Sequence, residues 1–136
     1  MKYVELRKQH QDKVDALPLK FAFSKEQFKS AMSELGLTEN DTDKISWIGL
    51  GGFCLKTDKE AVDRVFDETY NEMNKAMRDD EFCIDAIEYE MGNHEYALTY
   101  DMDEVLESLG LNGNNERIQK LFLKAEQRYF NSLEHD

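Results

Sequence analysis

Apolar residues recur at three- and four-residue spacing in six separate stretches of this chain, and that rhythm constrains its fold more than any other feature. Tyr3, Leu6, His10, Val14 and Leu17 line one face of a helix over 3–16. Pro18 stops it, because the residue before a proline is pushed out of the helical region. Phe28, Met32 and Leu35 form a second stripe behind the capping box of Ser24 and Gln27, and Gly36 supplies the left-handed residue at its end. Thr57 and Glu60 frame another capping box. It predicts the start of the longest helix, with Val62, Val65, Phe66, Thr69, Met73, Ala76 and Met77 inward. Asp79 and Asp80 break the chain, and Phe82, Cys83, Ala86, Ile87 and Met91 carry a helical face on to Gly92. Asp101 and Glu104 open a helix that buries Val105, Leu106 and Leu109 and closes at Gly110. Ile118, Leu121, Phe122, Ala125, Tyr129 and Leu133 mark the last one.

Strand signals occupy fewer positions. "LKFAF" at 19–23 reads as a short strand with Phe21 and Phe23 on one face. Thr38 and Asp41 suggest a capped turn before "ISWIGLGGFCLK", which reads as a hairpin reversing through glycines between 49 and 52. "HEYALTY" is ambiguous between strand and loop. The expected class is α+β, a mostly helical single domain over 1–136 with a small two- or three-stranded antiparallel sheet. "QFKSAMSELGL" and "DMDEVLESLGL" share an apolar rhythm and an L-G-L ending, as any two amphipathic helices closed by glycine would.

Composition removes several classes of function. At 136 residues the chain can bury roughly two thirds of its unfolded surface, and 40% hydrophobic content argues against disorder. No apolar run approaches the roughly 20 residues that span a bilayer, and "MKYVELRKQHQDK" is too polar for a secretory signal. Cys54 and Cys83 then read as reduced thiols of a cytoplasmic protein. A pI near 4.7 opposes direct binding to nucleic acid or to an anionic membrane.

The charge is unevenly placed. Between Arg78 and Arg117 lie twelve carboxylates and no lysine or arginine, although the chain has 29 acids against 17 bases. Removing that stretch leaves seventeen of each, so the formal charge of −12 belongs to it alone. Glu81, Asp85 and Glu88 fall at i, i+4 and i+7 on a helix, where like charges repel by a few tenths of a kcal/mol each. Asp103 and Glu104 have a structural reason to be acidic, since a helix dipole favours carboxylates in the first turn. With Tyr89 and Tyr96 off the inferred core face, the stretch predicts a surface where acids steer a basic protein partner and rings hold it. Its candidate contact residues are Glu81, Asp85, Glu88, Tyr89, Glu95, Tyr96, Asp103 and Glu107.

Motifs of chemistry are incomplete. "GLGGF" lacks the Gly-Lys-Ser/Thr of a phosphate loop, and a strand rather than a helix follows it. Calcium loops begun at Asp41 or Asp101 fail at their sixth and twelfth positions, and "NHEYA" lacks the second histidine of a zinc protease. No cofactor or metal is therefore expected. An alternative places acid–base or metal-assisted hydrolysis at His94, Glu95, Asp101 and Asp103. Another places a peptide or small-molecule site at the hairpin from Gly49 to Phe53, with Trp47, Phe21 and Phe23 beside it. Those aromatics read more simply as core.

"FAFSKEQF", "GLGGF" and "GNHEYALTYDMDEVLESLGL" together resemble a small uncharacterised family encoded in gut-type bacteria and in their phages and mobile elements. The resemblance runs to about Leu111 and brings no assigned activity. It implies a prokaryotic, cytoplasmic setting. The leading expectation is a non-enzymatic interaction protein that presents an acidic face to a basic partner, in one form by imitating nucleic-acid phosphates.

Overall fold

The computed structural model describes residues 1–134; His135 and Asp136 lie outside the described residues. The elements run α1 (Tyr3–Asp15), β1 (Lys20–Phe21), α2 (Lys25–Glu34), β2 (Ile45–Gly49), β3 (Gly52–Leu55), α3 (Lys59–Ala76), α4 (Asp80–Asn93), α5 (Tyr96–Thr99), α6 (Met102–Ser108) and α7 (Glu116–Glu134). Single 3-10 turns occupy Thr42–Lys44 and Lys56–Asp58. The class is α+β, mostly helical with one three-stranded antiparallel sheet, as expected. Among the described residues no helix is long and apolar enough to cross a membrane. Contacts within the chain divide it into two compact units, Gln11–Thr69 and Met1–His10 with the chain from Tyr70 onward.

In Gln11–Thr69 the strand order is β1-β3-β2, with Lys20 opposite Phe53, Phe21 opposite Gly52, Trp47 opposite Phe53 and Ile45 opposite Leu55. Side chains alternate across a strand, so Ile45, Trp47, Phe53 and Leu55 share one face. Ala31 and Met32 of α2 join Ile45 and Phe53 in the core, with Phe28, Leu35 and Leu37 around them. Ser24 caps α2 by accepting from the Gln27 N–H at 3.2 Å, and the Gln27 side chain accepts from the Phe23 N–H. The hairpin reverses through Gly49, Leu50 and Gly51, all with positive φ. A Cβ on Gly51 would lie 2.7 Å from the Phe23 ring, and one on Gly52 2.9 Å from the Phe21 ring. Two phenyl rings thus rest on bare backbone.

Three sequence expectations fail here, one of them that Phe66 of α3 faces inward, since it is exposed. Phe21, Phe23 and Trp47 are more than half exposed, and of the four aromatics assigned to core only Phe53 is buried. The glycines that seat Phe21 and Phe23 carry no side chains to enclose them. Thr57 lies inside a 3-10 turn rather than in the extended conformation an N-cap needs, so the expected capping box does not form and α3 starts at Lys59.

In the other unit, α4 is the central helix. It buries Phe82, Cys83, Ile84, Ala86, Ile87, Glu90 and Met91, and α7 packs along it. Tyr3 and Leu6 of α1, Val105 and Leu106 of α6, and Ile118, Leu121, Phe122 and Ala125 of α7 complete the core. "HEYALTY" is neither strand nor loop. It forms the one-turn helix α5, because Glu95 and Tyr100 adopt left-handed conformations (φ 50° and 49°) and turn the chain at both ends.

Candidate functional site

The acidic stripe foreseen on α4 lines an open groove of about 820 Å³, shared with the first turns of α1, the end of α3 and α7. Leu6, Ala76 and Phe82 give it an apolar floor. Glu72, Asp79, Glu81, Asp85 and Glu88 stand around it with Lys2, Lys75 and Arg128. Four of the five carboxylates are held by contacts within the chain. Asp79 caps α4 by accepting from the Phe82 N–H at 2.9 Å. Asp85 accepts from the Tyr3 N–H at 2.8 Å, so a carboxylate on α4 satisfies one of the unpaired amides that open α1. Glu81 receives Arg128 on both oxygens, at 3.1 and 3.0 Å. Glu72 meets the His10 ring at 3.2 Å. Glu88 completes the row.

The expectation that nothing offsets these acids is corrected by the fold. No lysine or arginine lies between Arg78 and Arg117, yet arginines come to the acids of α4 from outside that stretch. Arg117 donates to Asp80 at 2.9 Å and to the carbonyls of Met77 and Arg78 at 3.0 Å, fastening the start of α7 to the turn before α4. Arg7 reaches Glu90 at 3.4 Å while lying 5.6 Å from the centre of the Tyr89 ring.

Glu90 is the acid of α4 that the structure places in the core, which the sequence reading did not expect. It is only 5% exposed. Its Oε1 accepts from the Tyr3 hydroxyl at 2.9 Å and from Arg7, while Oε2 accepts from Asn93 at 3.4 Å and meets His94 Nε2 at 3.3 Å. The other ring nitrogen of His94 lies 2.9 Å from Glu104. Burial, and then the hydrogen bond to Glu90, push the Tyr3 hydroxyl well above the ordinary tyrosine pKa, with the Arg7 charge opposing. A signal existed: Glu90 stands seven residues after Cys83 and three after Ile87, on the face that reads as core.

The remaining expected contact residues do not gather at the groove. Tyr96, expected on the surface, is 4% exposed, because its ring is the hub of contacts with Tyr100, Phe122, Tyr129 and Phe130. Its hydroxyl donates to Glu126 at 2.5 Å, and burial followed by that carboxylate raises its pKa. Tyr89 is exposed beneath Arg7, and Glu95 is exposed at the head of α5. Asp103 and Glu107 line a separate hollow of about 300 Å³ with Asn112 and Asn114.

The four residues of the hydrolytic alternative serve different ends. His94 bridges Glu90 and Glu104, Asp101 caps α6 by accepting from the Glu104 N–H at 3.0 Å, and Glu95 and Asp103 are in neither arrangement. Among the described residues no three histidine, cysteine or carboxylate side chains are grouped to hold a metal ion. Cys54 and Cys83 are free buried thiols, and burial raises the pKa of each.

Fold and groove together define a small acidic α+β protein with an open, charge-lined groove. The chain belongs to the family of unknown function DUF7659, whose model matches residues 2–128. The match carries the expected family likeness beyond Leu111 and along most of α7. No curated protein and no solved structure matches the chain.

Proposed function

We propose that this is a non-catalytic interaction protein that seats a basic, partly apolar segment of a protein partner in the groove along α4. The groove lining carries the reading: five carboxylates against Lys2, Lys75 and Arg128, around Leu6, Ala76 and Phe82. An excess of acid steers a cationic segment toward the groove, and the apolar floor holds it once there. Glu72, Asp79, Glu81 and Asp85 are already held by in-chain contacts, so their oxygens are pre-positioned at little entropic cost. A narrower form has the face imitate nucleic-acid phosphates in a prokaryotic or phage setting. It rests on net charge alone, and the arginines standing among the carboxylates weigh against it. A cytoplasmic location belongs to the same proposal and is supported by the two unpaired thiols.

A synthetic helical peptide of leucine and lysine, titrated into isotopically labelled protein, tests this. The amides of α4 and the start of α1 are expected to shift, with affinity at least about tenfold weaker at 0.3 M than at 0.02 M NaCl as screening shortens the reach of the charges. Glu88→Lys should weaken it further. Shifts scattered over the surface, or an affinity indifferent to Glu88→Lys, would overturn the reading.

A further inference from the structure

Tyr89 and Glu90 hold the guanidinium of Arg7 by ring and carboxylate together. The same pair of residue types, a tyrosine followed by an acid, recurs at Tyr100 and Asp101. Among the described residues no guanidinium lies over that second ring. Tyr100 is 64% exposed, and Leu98 beside it on α5 is 80% exposed. The Tyr100 ring stacks on Phe130, with centroids 5.9 Å and planes 23° apart, and meets the Tyr96 ring at 5.5 Å and 54°, yet most of the side chain stays in solvent.

This surface is firmly backed. The Tyr96 ring sits among Phe122, Tyr129 and Phe130, and the Ala97 N–H donates to the Tyr129 hydroxyl at 3.3 Å. Its surroundings are acidic. Glu95 and Asp101 flank α5, and both are exposed. Asp101 spends Oδ1 on the α6 cap, and its second oxygen remains. The stripe of α7 that meets α5 contributes Glu126 and no cation. At 100° per residue Arg117, Lys120, Lys124 and Arg128 lie on other sides of α7, and Arg117 and Arg128 are engaged by Asp80 and Glu81.

We propose that α5 and Tyr100 form an arginine-docking surface. A protein partner's exposed arginine lays its guanidinium against the solvent-exposed part of the Tyr100 ring, pairs with Asp101 and Glu95, and sets its aliphatic stem against Leu98. Arginine rather than lysine fits, since a planar guanidinium both stacks on a ring and forks to a carboxylate. The surface shares no lining residue with the groove, so it stands or falls independently.

Hexa-arginine and hexa-lysine peptides, equal in charge, are the probes, read by the amide shifts of residues 95–101 in the full chain. Hexa-arginine is expected to bind there about threefold or more tightly than hexa-lysine. Tyr100→Ala should weaken it about two- to fivefold, the size of an exposed cation–π contact, and Tyr100→Phe should restore it. Asp101→Asn, which keeps the cap, should weaken it too, while Glu88→Lys leaves these shifts unchanged. Equal affinity for the two peptides, or loss caused by Glu88→Lys and not by Tyr100→Ala, would overturn the proposal. Should Tyr100→Ala disturb the spectrum beyond α5, Asp101→Asn and the arginine-to-lysine comparison decide the matter alone.

Discussion

A buried carboxylate is costly unless donors surround it, and around Glu90 they come from two parts of the chain: Tyr3 and Arg7 on α1, and Asn93 and His94 three and four residues beyond Glu90 itself. Tyr96 repeats the pairing, its hydroxyl donating to Glu126 as that of Tyr3 donates to Glu90. Both phenols have raised pKa values, so the folded chain holds these protons more tightly than the unfolded one does. Their contribution to stability is complete below about pH 10, where an unfolded tyrosine keeps its proton, and is lost as pH rises beyond it. The urea midpoint should therefore fall between pH 8 and pH 11, and fall less in Tyr96→Phe. Equal declines in the two proteins would show that Tyr96 is not a source of the effect. Position 90 was legible as a place on the apolar face. Its partners on α1 were not, because Tyr3 lies 87 residues away.

Most elements with local causes were read correctly. The L-G-L echo is one capping device used twice. After α2 the Leu37 N–H reaches the Met32 carbonyl and the Gly36 N–H that of Ser33; after α6 Leu111 reaches Leu106 and Gly110 reaches Glu107. Both glycines are left-handed, at φ 75° and 66°. Gly92 differs: it lies within α4, with open space where a Cβ would go. Gly110→Ala should thus cost about 1 kcal/mol, while Gly92→Ala should add about 0.5–1 kcal/mol, both read from urea unfolding. A stabilised Gly110→Ala would contradict the cap geometry. Sequence reasoning failed at α5 for a related cause. Left-handed turns are expected at glycine or asparagine, and here Glu95 and Tyr100 make them. It failed at Thr57 because the extended chain ends at Leu55 and the 3-10 turn from Lys56 to Asp58 takes in Thr57.

Across the whole chain, a net charge of −12 outweighs the exposed ion pairs, each of which contributes little. Stability should consequently rise between 0.02 and 0.5 M NaCl, as the screening length shrinks from about 20 Å to about 4 Å. A urea midpoint that falls with salt would mean that Arg117, Arg128 and Arg7 contribute more than the repulsion costs. The sequence by itself determined the helical segments, most of their caps, the hairpin and the place of the surplus acid, because each depends on residues within a turn or two. Only the tertiary structure decided which acids are answered. Glu81 and Arg128 are 47 residues apart and Asp85 and Tyr3 are 82 apart, and such encounters are fixed by how helices pack rather than by any local pattern.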